Sequence, residues 1–290
     1  MKLSLTIKFA ALAAVLILSS CEKVITVELE KEEPMLVVDA FINNDTTPQI
    51  ISLQYSQPYF DENPSTPVLG ALVEVISSEA DTFKFTEINN NGIYQWIPTP
   101  GDTICKVGKT YRLKINYGGS IYEAASTVGF VPSIDSLIFS PAFDFQGNAN
   151  GYEAEFFAND PANQFDFCRI KTYKNNVLYN NSNELNLSVN GGQFYPGADG
   201  KLFIPPVRTS INRFGENYKL NDTVKVELLS ISRDTWYYFS EVSAQINNQG
   251  LFATPTANVR TNIIKSSGNG AQAQGWFCAS ALSRRIGIVK

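Results

Sequence analysis

Short hydrophobic runs alternate with polar residues along most of the chain, with the two-residue period of half-buried β-strands. In residues 111–115, Tyr111, Leu113 and Ile115 fall on one face and two cations fall on the other. Asn, Asp and Gly residues that favour turns separate the runs. Seven strands are predicted in the first half, at 35–42, 49–55, 71–77, 82–87, 93–97, 110–117 and 121–127.

The second half follows Val131-Pro132-Ser133, which we interpret as a domain boundary. Its pattern predicts strands near 135–140, 151–158, 165–174, 184–189, 223–230 and 274–281, and the Gly-, Asn- and Pro-rich stretch 190–222 is expected to form mostly loops. The predicted fold is therefore all-β with one short helix. An immunoglobulin-like β-sandwich over 35–130 precedes a second β-rich domain over 131–290.

The one predicted helix covers residues 232–247. Trp236, Phe239, Val242 and Ile246 recur there at helical spacing, and Ser232 can cap the first turn. We interpret this apolar stripe as packing against a sheet. A ligand site along the stripe is the alternative.

The N-terminus has the pattern of a bacterial lipoprotein signal. An apolar run of ten residues, 9–18, follows two lysines, which is shorter than the roughly 20 residues that a membrane-spanning helix needs. Residues 18–21, Leu-Ser-Ser-Cys, resemble a lipobox. We predict a signal peptide at 1–20, a lipid-carrying Cys21 that anchors the chain to the membrane, and an acidic tether over 21–34. An ordinary signal peptide with a chance cysteine is the alternative.

Composition excludes several classes of function. The formal charge is -5 and only 18% of residues are charged, below the average of roughly 25%, so a nucleic-acid partner is excluded. The chain has no histidine, which removes Ser-His-Asp and Cys-His catalysis and the usual zinc sites. Gly108-Lys109-Thr110 lacks the spacing of a phosphate-binding P-loop. We predict no catalytic residues, no metal site and no cofactor.

Three cysteines remain beyond Cys21, an odd number for an oxidising compartment. Cys168 and Cys278 both fall in predicted strands of the second half, and we predict a disulfide between them with Cys105 free. Three buried, unpaired thiols form the alternative, because the sequence does not supply the geometry that a bridge requires.

A few residues outside these elements are candidates for recognition or chemistry. Tyr59, Phe60 and Trp96 fall in or near loops and are candidate contacts for a glycan, a peptide or a protein partner, with core burial as the alternative. Glu153 and Glu155 lie two apart on one strand face, as a glycan-acting enzyme with two carboxylates would require. A solvated acidic face is the simpler interpretation of that pair.

Several motifs together resemble one known family. They are 21–25 (CEKVI), 36–39 (LVVD), 57–60 (QPYF), 70–75 (GALVEV), 92–94 (GIY), 108–113 (GKTYRL), 131–136 (VPSIDS), 262–263 (NI) and 275–277 (GWF). Their order and spacing resemble those of the Bacteroidota outer-membrane lipoproteins known as domain of unknown function 4249, over essentially the whole chain after the signal. Trp276 departs from the tyrosine expected there.

This resemblance implies a non-catalytic lipoprotein of the outer membrane, encoded beside TonB-dependent receptors and acting as a binding or accessory component. The periplasmic and cell-surface faces both stay open, because Cys21 lacks the acidic cluster common in surface-exported relatives. A glycan-acting enzyme and an adhesin or structural envelope protein are the alternatives. The resemblance also implies O-glycosylation in four Asp-Thr or Asp-Ser triplets, at Thr46, Thr103, Ser136 and Thr223; otherwise these triplets simply begin strands after turns.

Overall fold

The structure, a computed structural model, describes residues 33–58, 61, 63–160, 162, 166–189, 200–248, 254, 257–269 and 272–290. Residues Pro34–Lys290 form one compact unit, which contains both predicted domains. Strands dominate the described residues, so the all-β prediction is confirmed. No helix in the described part of the chain has the length and apolar character needed to cross a bilayer.

Nine strands form a curled first sheet around one hydrophobic core. In spatial order they are β14 (Ile264–Ser267), β7 (Ser120–Thr127), β6 (Thr110–Tyr117), β3 (Leu72–Ser77), β4 (Thr82–Glu87), β5 (Ile93–Trp96), β2 (Gln49–Tyr55), β1 (Leu36–Asn43) and β15 (Gln274–Ser280). Seven of them match the strands predicted in the first half. β14 and β15 come from beyond residue 131, and Phe277 and Ala279 of β15 lie in the same core. The finer expectation of an immunoglobulin-like sandwich is not confirmed by this arrangement.

The first sheet depends on a parallel pairing between β1 and β15, which places Val38 opposite Gly275. Gly275 has φ +98°, and a Cβ built on it would lie 1.9 Å from the carbonyl oxygen of Val38. Only glycine allows the two backbones to approach this closely. The glycine of the 275–277 motif is therefore required by the packing of the backbone.

Side chains provide hydrogen-bond partners for the backbone edge of β15 that does not pair with β1. The Asn262 amide donates to the carbonyl oxygen of Phe277 at 2.8 Å and accepts from the Phe277 N–H at 2.9 Å, as a neighbouring strand would. The hydroxyl of Ser126 on β7 accepts from the Ala279 N–H at 3.0 Å. Because buried backbone groups need partners, these contacts explain why the 262–263 and 275–277 motifs occur together.

Asn262→Ala should lower the free energy of unfolding by about 2 kcal/mol, since it leaves the N–H and the carbonyl of the buried Phe277 without their partners. The measurement is urea unfolding followed by tryptophan fluorescence. Asn116→Ala, at an exposed position of β6, is the matched control and should change stability by less than about 0.5 kcal/mol. Equal losses in the two variants would show that Asn262 does not close the sheet.

A second sheet carries the rest of the chain. Its order is β11 (Val177–Leu178), β10 (Phe167–Lys174), β13 (Thr223–Ile231) and β16 (Leu282–Ile288), and β12 (Asn186–Val189) also pairs with β10. A hairpin of β8 (Ile134–Phe143) and β9 (Ala149–Ala158) covers one face and encloses a second core. The short helix α1 (Pro205–Arg208) lies in the stretch that was expected to form loops. β11, β14 and β16 are strands that the pattern did not predict.

Helix α2 (Arg233–Ile246) confirms the predicted helix. The Ser232 hydroxyl caps it by accepting from the Thr235 N–H at 3.1 Å. The Thr235 hydroxyl accepts from the indole N–H of Trp276 at 2.9 Å, which ties the first turn of the helix to β15. Phe239 stacks on Phe41 of β1 at 5.1 Å between ring centroids. Trp236 of the helix contacts Phe167 of β10, with ring centroids 6.2 Å apart, so helix α2 packs against strands of both sheets.

Candidate functional site

A cleft of about 320 Å³ lies between helix α2 and strand β10. We call it the helix cleft. Its lining residues are Arg169, Ile170, Lys171, Leu178, Tyr179, Asn180, Asn181, Ser182, Glu184, Leu185, Phe239, Val242 and Ile246. Its volume falls in the range of small-molecule sites, and it combines an apolar wall with charged groups.

Arg169 is held in the cleft by aromatic rings and not by a carboxylate. Its guanidinium lies 4.4 Å from the ring centroid of Phe239 and 5.9 Å from that of Phe41. Within the described residues it donates no hydrogen bond. Burial lowers the pKa of this guanidinium, and the nearby Asp39 opposes that shift. The rings fix the orientation of the side chain while its N–H donors stay available.

Lys171 lies two residues along β10 and therefore on the same face of the strand as Arg169. Its cross-strand neighbour on β13 is Glu227, which is buried. That carboxylate already accepts hydrogen bonds from Arg284 at 2.9 Å and from the Tyr173 hydroxyl at 3.1 Å, and it forms an ion pair with Lys225 at 3.4 Å. These three partners occupy Glu227, so Lys171 has no ion pair within the described part of the chain.

The surroundings of Lys171 change its acidity. Burial, together with the neighbouring positive charge of Arg169, lowers the pKa of the ammonium to about 8 against the attraction of Glu227 and Asp39. Lys171 is therefore mostly charged at neutral pH and loses its proton slightly above it. Its charge lowers the stability of the ligand-free fold, because no ion pair with a described residue replaces the hydration that burial removes.

Asp39 adds one negative charge beside the two cations. Its side chain is exposed on the outer face of β1, yet the surrounding protein raises the pKa of its carboxyl, while Arg169 and Lys171 act in the opposite direction. Asp39 forms no hydrogen bond or ion pair among the described residues.

The apolar wall of the cleft comes from the predicted stripe of helix α2. Phe239 packs against Phe41 of β1, whereas Val242 and Ile246, one and two turns further on, line the cleft. The N-terminal half of the stripe thus follows the sheet-packing interpretation. Its C-terminal half lines the candidate site instead.

The structure separates the three aromatic residues that were predicted as contacts. Tyr59 and Phe60 lie outside the described residues. Trp96 is half-buried at the end of β5 and packs edge to face on Phe83, with ring centroids 5.1 Å apart, against the first core. Its packing is that of the core-burial alternative, and its role as a contact stays a prediction.

The predicted modification sites also lie in different parts of the chain and differ in exposure. Cys21 lies outside the described residues. Thr46 and Thr103 are exposed, while Ser136 and Thr223 are half-buried in β8 and β13. Lipidation and O-glycosylation stay predictions.

The predicted disulfide is absent from the structure. Cys105, Cys168 and Cys278 are all buried and all carry free thiols, so the arrangement is the alternative of three unpaired cysteines. Burial raises the pKa of each thiol, which keeps the sulfur protonated and unreactive. Cys168 lies on β10 beside β13, whereas Cys278 lies on β15 beside β1, and these strands belong to different sheets.

The paired carboxylates of β9 are not equivalent. Glu155 forms an ion pair with Arg208 of helix α1 at 2.7 Å, while Glu153 is exposed. One of the two acids is thus engaged in a contact that links β9 to α1. No cluster of three or more metal-ligating side chains occurs among the described residues.

The sequence pattern did not single out the helix cleft. Arg169 and Lys171 alternate with buried residues in β10, which is the ordinary pattern of a strand with its polar side in water. The signal that was present is the combination of two cations on one strand face with a helix stripe that extends beyond its packing partner. Only the tertiary structure brings the two features together.

Comparison with known proteins gives one result. A family model described as Domain of unknown function (DUF4249) matches residues 22–286. No curated protein matches the chain.

Proposed function

The chain belongs to the family of domain of unknown function 4249, and on this premise we propose that it is a non-catalytic lipoprotein of the outer membrane that binds a small ligand beside a TonB-dependent transporter. The observation that supports the binding role is the helix cleft, whose lining includes Arg169 and Lys171, two half-buried cations that form no ion pair with any residue that the structure describes. Charged groups in a concave, partly apolar site are typical of ligand recognition.

The membrane anchor in this proposal rests on Cys21. A diacylated cysteine adds on the order of 0.8 kcal/mol per buried CH₂ group and so holds a soluble body stably at a bilayer. The full chain expressed in a bacterium with lipoprotein processing should partition into the detergent phase and begin at a lipid-modified Cys21 by mass spectrometry. Cys21→Ser is the matched control and should stay in the aqueous phase. A wild-type chain that keeps residues 1–20, or stays aqueous, would overturn the proposal.

The accessory role is tested separately by co-purification. The lipidated chain, isolated from detergent-solubilised outer membranes, should bring with it a TonB-dependent receptor barrel in a fixed ratio. Its recovery alone, under conditions that preserve other lipoprotein–receptor complexes, would remove the transporter from the proposal and leave the binding role.

A further inference from the structure

We infer that the helix cleft binds a small carboxylate with one negative charge and an apolar body, held by Arg169 and Lys171. This inference rests on the proposed binding function and names the chemistry of its ligand. It follows from the charges in the cleft, the orientation of Arg169 and the apolar wall of helix α2.

Counting the charges favours a ligand with a single negative charge. Arg169 and Lys171 contribute two positive charges and Asp39 contributes one negative charge, which leaves a net charge of +1. Asp39 lies outside the lining but acts on both cations through its charge. Glu184, the acid in the lining, is neutralised by Arg213, whose guanidinium Nη2 donates to it at 3.0 Å. A monoanion would complete the balance, whereas a dianionic phosphate would leave an excess negative charge beside Asp39.

The geometry of Arg169 favours a carboxylate. A guanidinium presents parallel N–H donors that match the two oxygens of a carboxylate, and stacking on Phe239 holds its plane in place before the ligand arrives. Lys171 projects from the same strand face about 7 Å further along. It can therefore donate to the same carboxylate from a second direction.

The remainder of the ligand would contact the apolar wall. Phe239, Val242 and Ile246 of helix α2 line the side of the cleft, and the cleft volume of about 320 Å³ accommodates a short hydrocarbon body. Asn180, Asn181 and Ser182 provide polar groups in the same lining. A medium-chain amphiphilic carboxylate fits a cleft that has cations on one side and an apolar wall on the other.

The test compares octanoate with octanamide, its neutral analogue, by isothermal titration calorimetry. The full chain is held in lipid nanodiscs, and empty nanodiscs provide the reference titration. Octanoate should bind at pH 7 and octanamide should bind at least about tenfold more weakly, because the amide lacks the charge that the cations recognise. Equal heats for both probes, or no octanoate binding above the reference, would overturn the inference. A co-purified receptor together with absent octanoate binding would overturn the ligand class and leave the proposed function standing.

Substitution of each cation tests whether Arg169 and Lys171 bind the carboxylate of octanoate. Arg169→Gln and Lys171→Met should each weaken octanoate binding about tenfold or more. Lys84→Met is the control, because Lys84 is an exposed cation on β4 of the first sheet and lies outside the lining. Unchanged binding in both cleft variants, or equal weakening in the control, would contradict the assignment.

Two readouts separate recognition from a merely structural role. Octanoate stays ionised above pH 7, so its affinity should fall about tenfold between pH 7 and pH 9.5 as Lys171 loses its proton, and this fall should vanish in Lys171→Met. Among the described residues, the charged groups that act on Lys171 are Arg169 on β10, Glu227 and Lys225 on β13, and Asp39 on β1, and Glu184 lies in the same lining. A pH profile shared by wild type and Lys171→Met would overturn the role of Lys171.

The second readout is the stability of the ligand-free chain. The folded pKa of Lys171 is about 8 and the ordinary value is 10.5, so the unfolded chain binds more protons between these values and stability rises with pH across that window. Lys171→Met removes the unpaired charge, so its urea midpoint at pH 7 should lie above that of the wild type. A lower midpoint would show that Lys171 supports the fold and would contradict a site maintained for a ligand.

Discussion

Gly275→Ala is expected to lower the free energy of unfolding by about 3 to 5 kcal/mol. The added methyl group would lie 1.9 Å from the carbonyl oxygen of Val38, and the residue would keep an unfavourable φ of +98°. Relief of the clash requires β1 and β15 to separate, which breaks the ladder hydrogen bonds between the last two strands in the order of the first sheet. Urea unfolding of the two chains, followed by tryptophan fluorescence, measures the loss.

Gly108→Ala is the matched control for the backbone conformation. Gly108 also has positive φ, +78°, but a Cβ built on it meets nothing within 4 Å. Its replacement should cost about 1 kcal/mol, the conformational part alone. If Gly275→Ala were no worse than Gly108→Ala, the close parallel pairing of β1 with β15 would be wrong.

Glu227→Gln is expected to cost about 3 kcal/mol, because it removes a buried negative charge that pairs with Arg284 and Lys225. The carboxylate contacts Arg284 at 2.8 Å and Lys225 at 3.4 Å, and its side chain is only 8% exposed. The neutral amide would leave both cations, and the nearby Lys171, without their central partner. The measurement is the free energy of unfolding in urea at pH 7.

Glu241→Gln provides the comparison for a surface ion pair. Glu241 pairs with Arg260 at 2.5 Å, but both side chains are 39% exposed, so water and salt screen the attraction. This variant should lose less than about 1 kcal/mol. Similar losses at Glu227 and Glu241 would show that burial does not strengthen the Glu227 network.

Asp45 extends the Glu227 network into the loop after β1. Its carboxylate lies 2.6 Å from Arg284, which also contacts Glu227, so one guanidinium joins the loop to β13. Burial alone would raise the pKa of Asp45, but the hydrogen bond from Arg284 lowers it below its usual range. The network thus links strand β1, which carries Asp39, to the sheet that carries Arg169 and Lys171.

The sequence predicted most of the elements of this fold. Strand β1 alternates buried and partly exposed residues, and helix α2 has both a periodic stripe and a capping serine, so local pattern and tertiary environment agree. Prediction failed where that agreement is absent. In β16, Arg284, Arg285 and Ile286 are consecutive exposed residues, so no alternation marks the strand. β14 is short and its pairing with β7 is irregular.

The candidate site was less predictable than the fold. Arg169 and Lys171 carry the alternation of a solvated strand face, and the same sequence would result if water covered that face. Their significance arises because Glu227 is occupied by other partners and helix α2 forms a wall beside them. Both conditions involve residues more than fifty positions away in the chain.

The sequence by itself determined which segments become strands and which becomes a helix, because the periods of two and 3.6 residues are local properties of the backbone. It also determined which chemistries are impossible without histidine. Only the tertiary structure decided that β15 pairs in parallel with β1, that three thiols stay apart, and that two cations share a cleft with an apolar helix. The physical reason is that pairing partners and burial depend on contacts between distant segments, and a periodic pattern specifies a face without specifying what covers it.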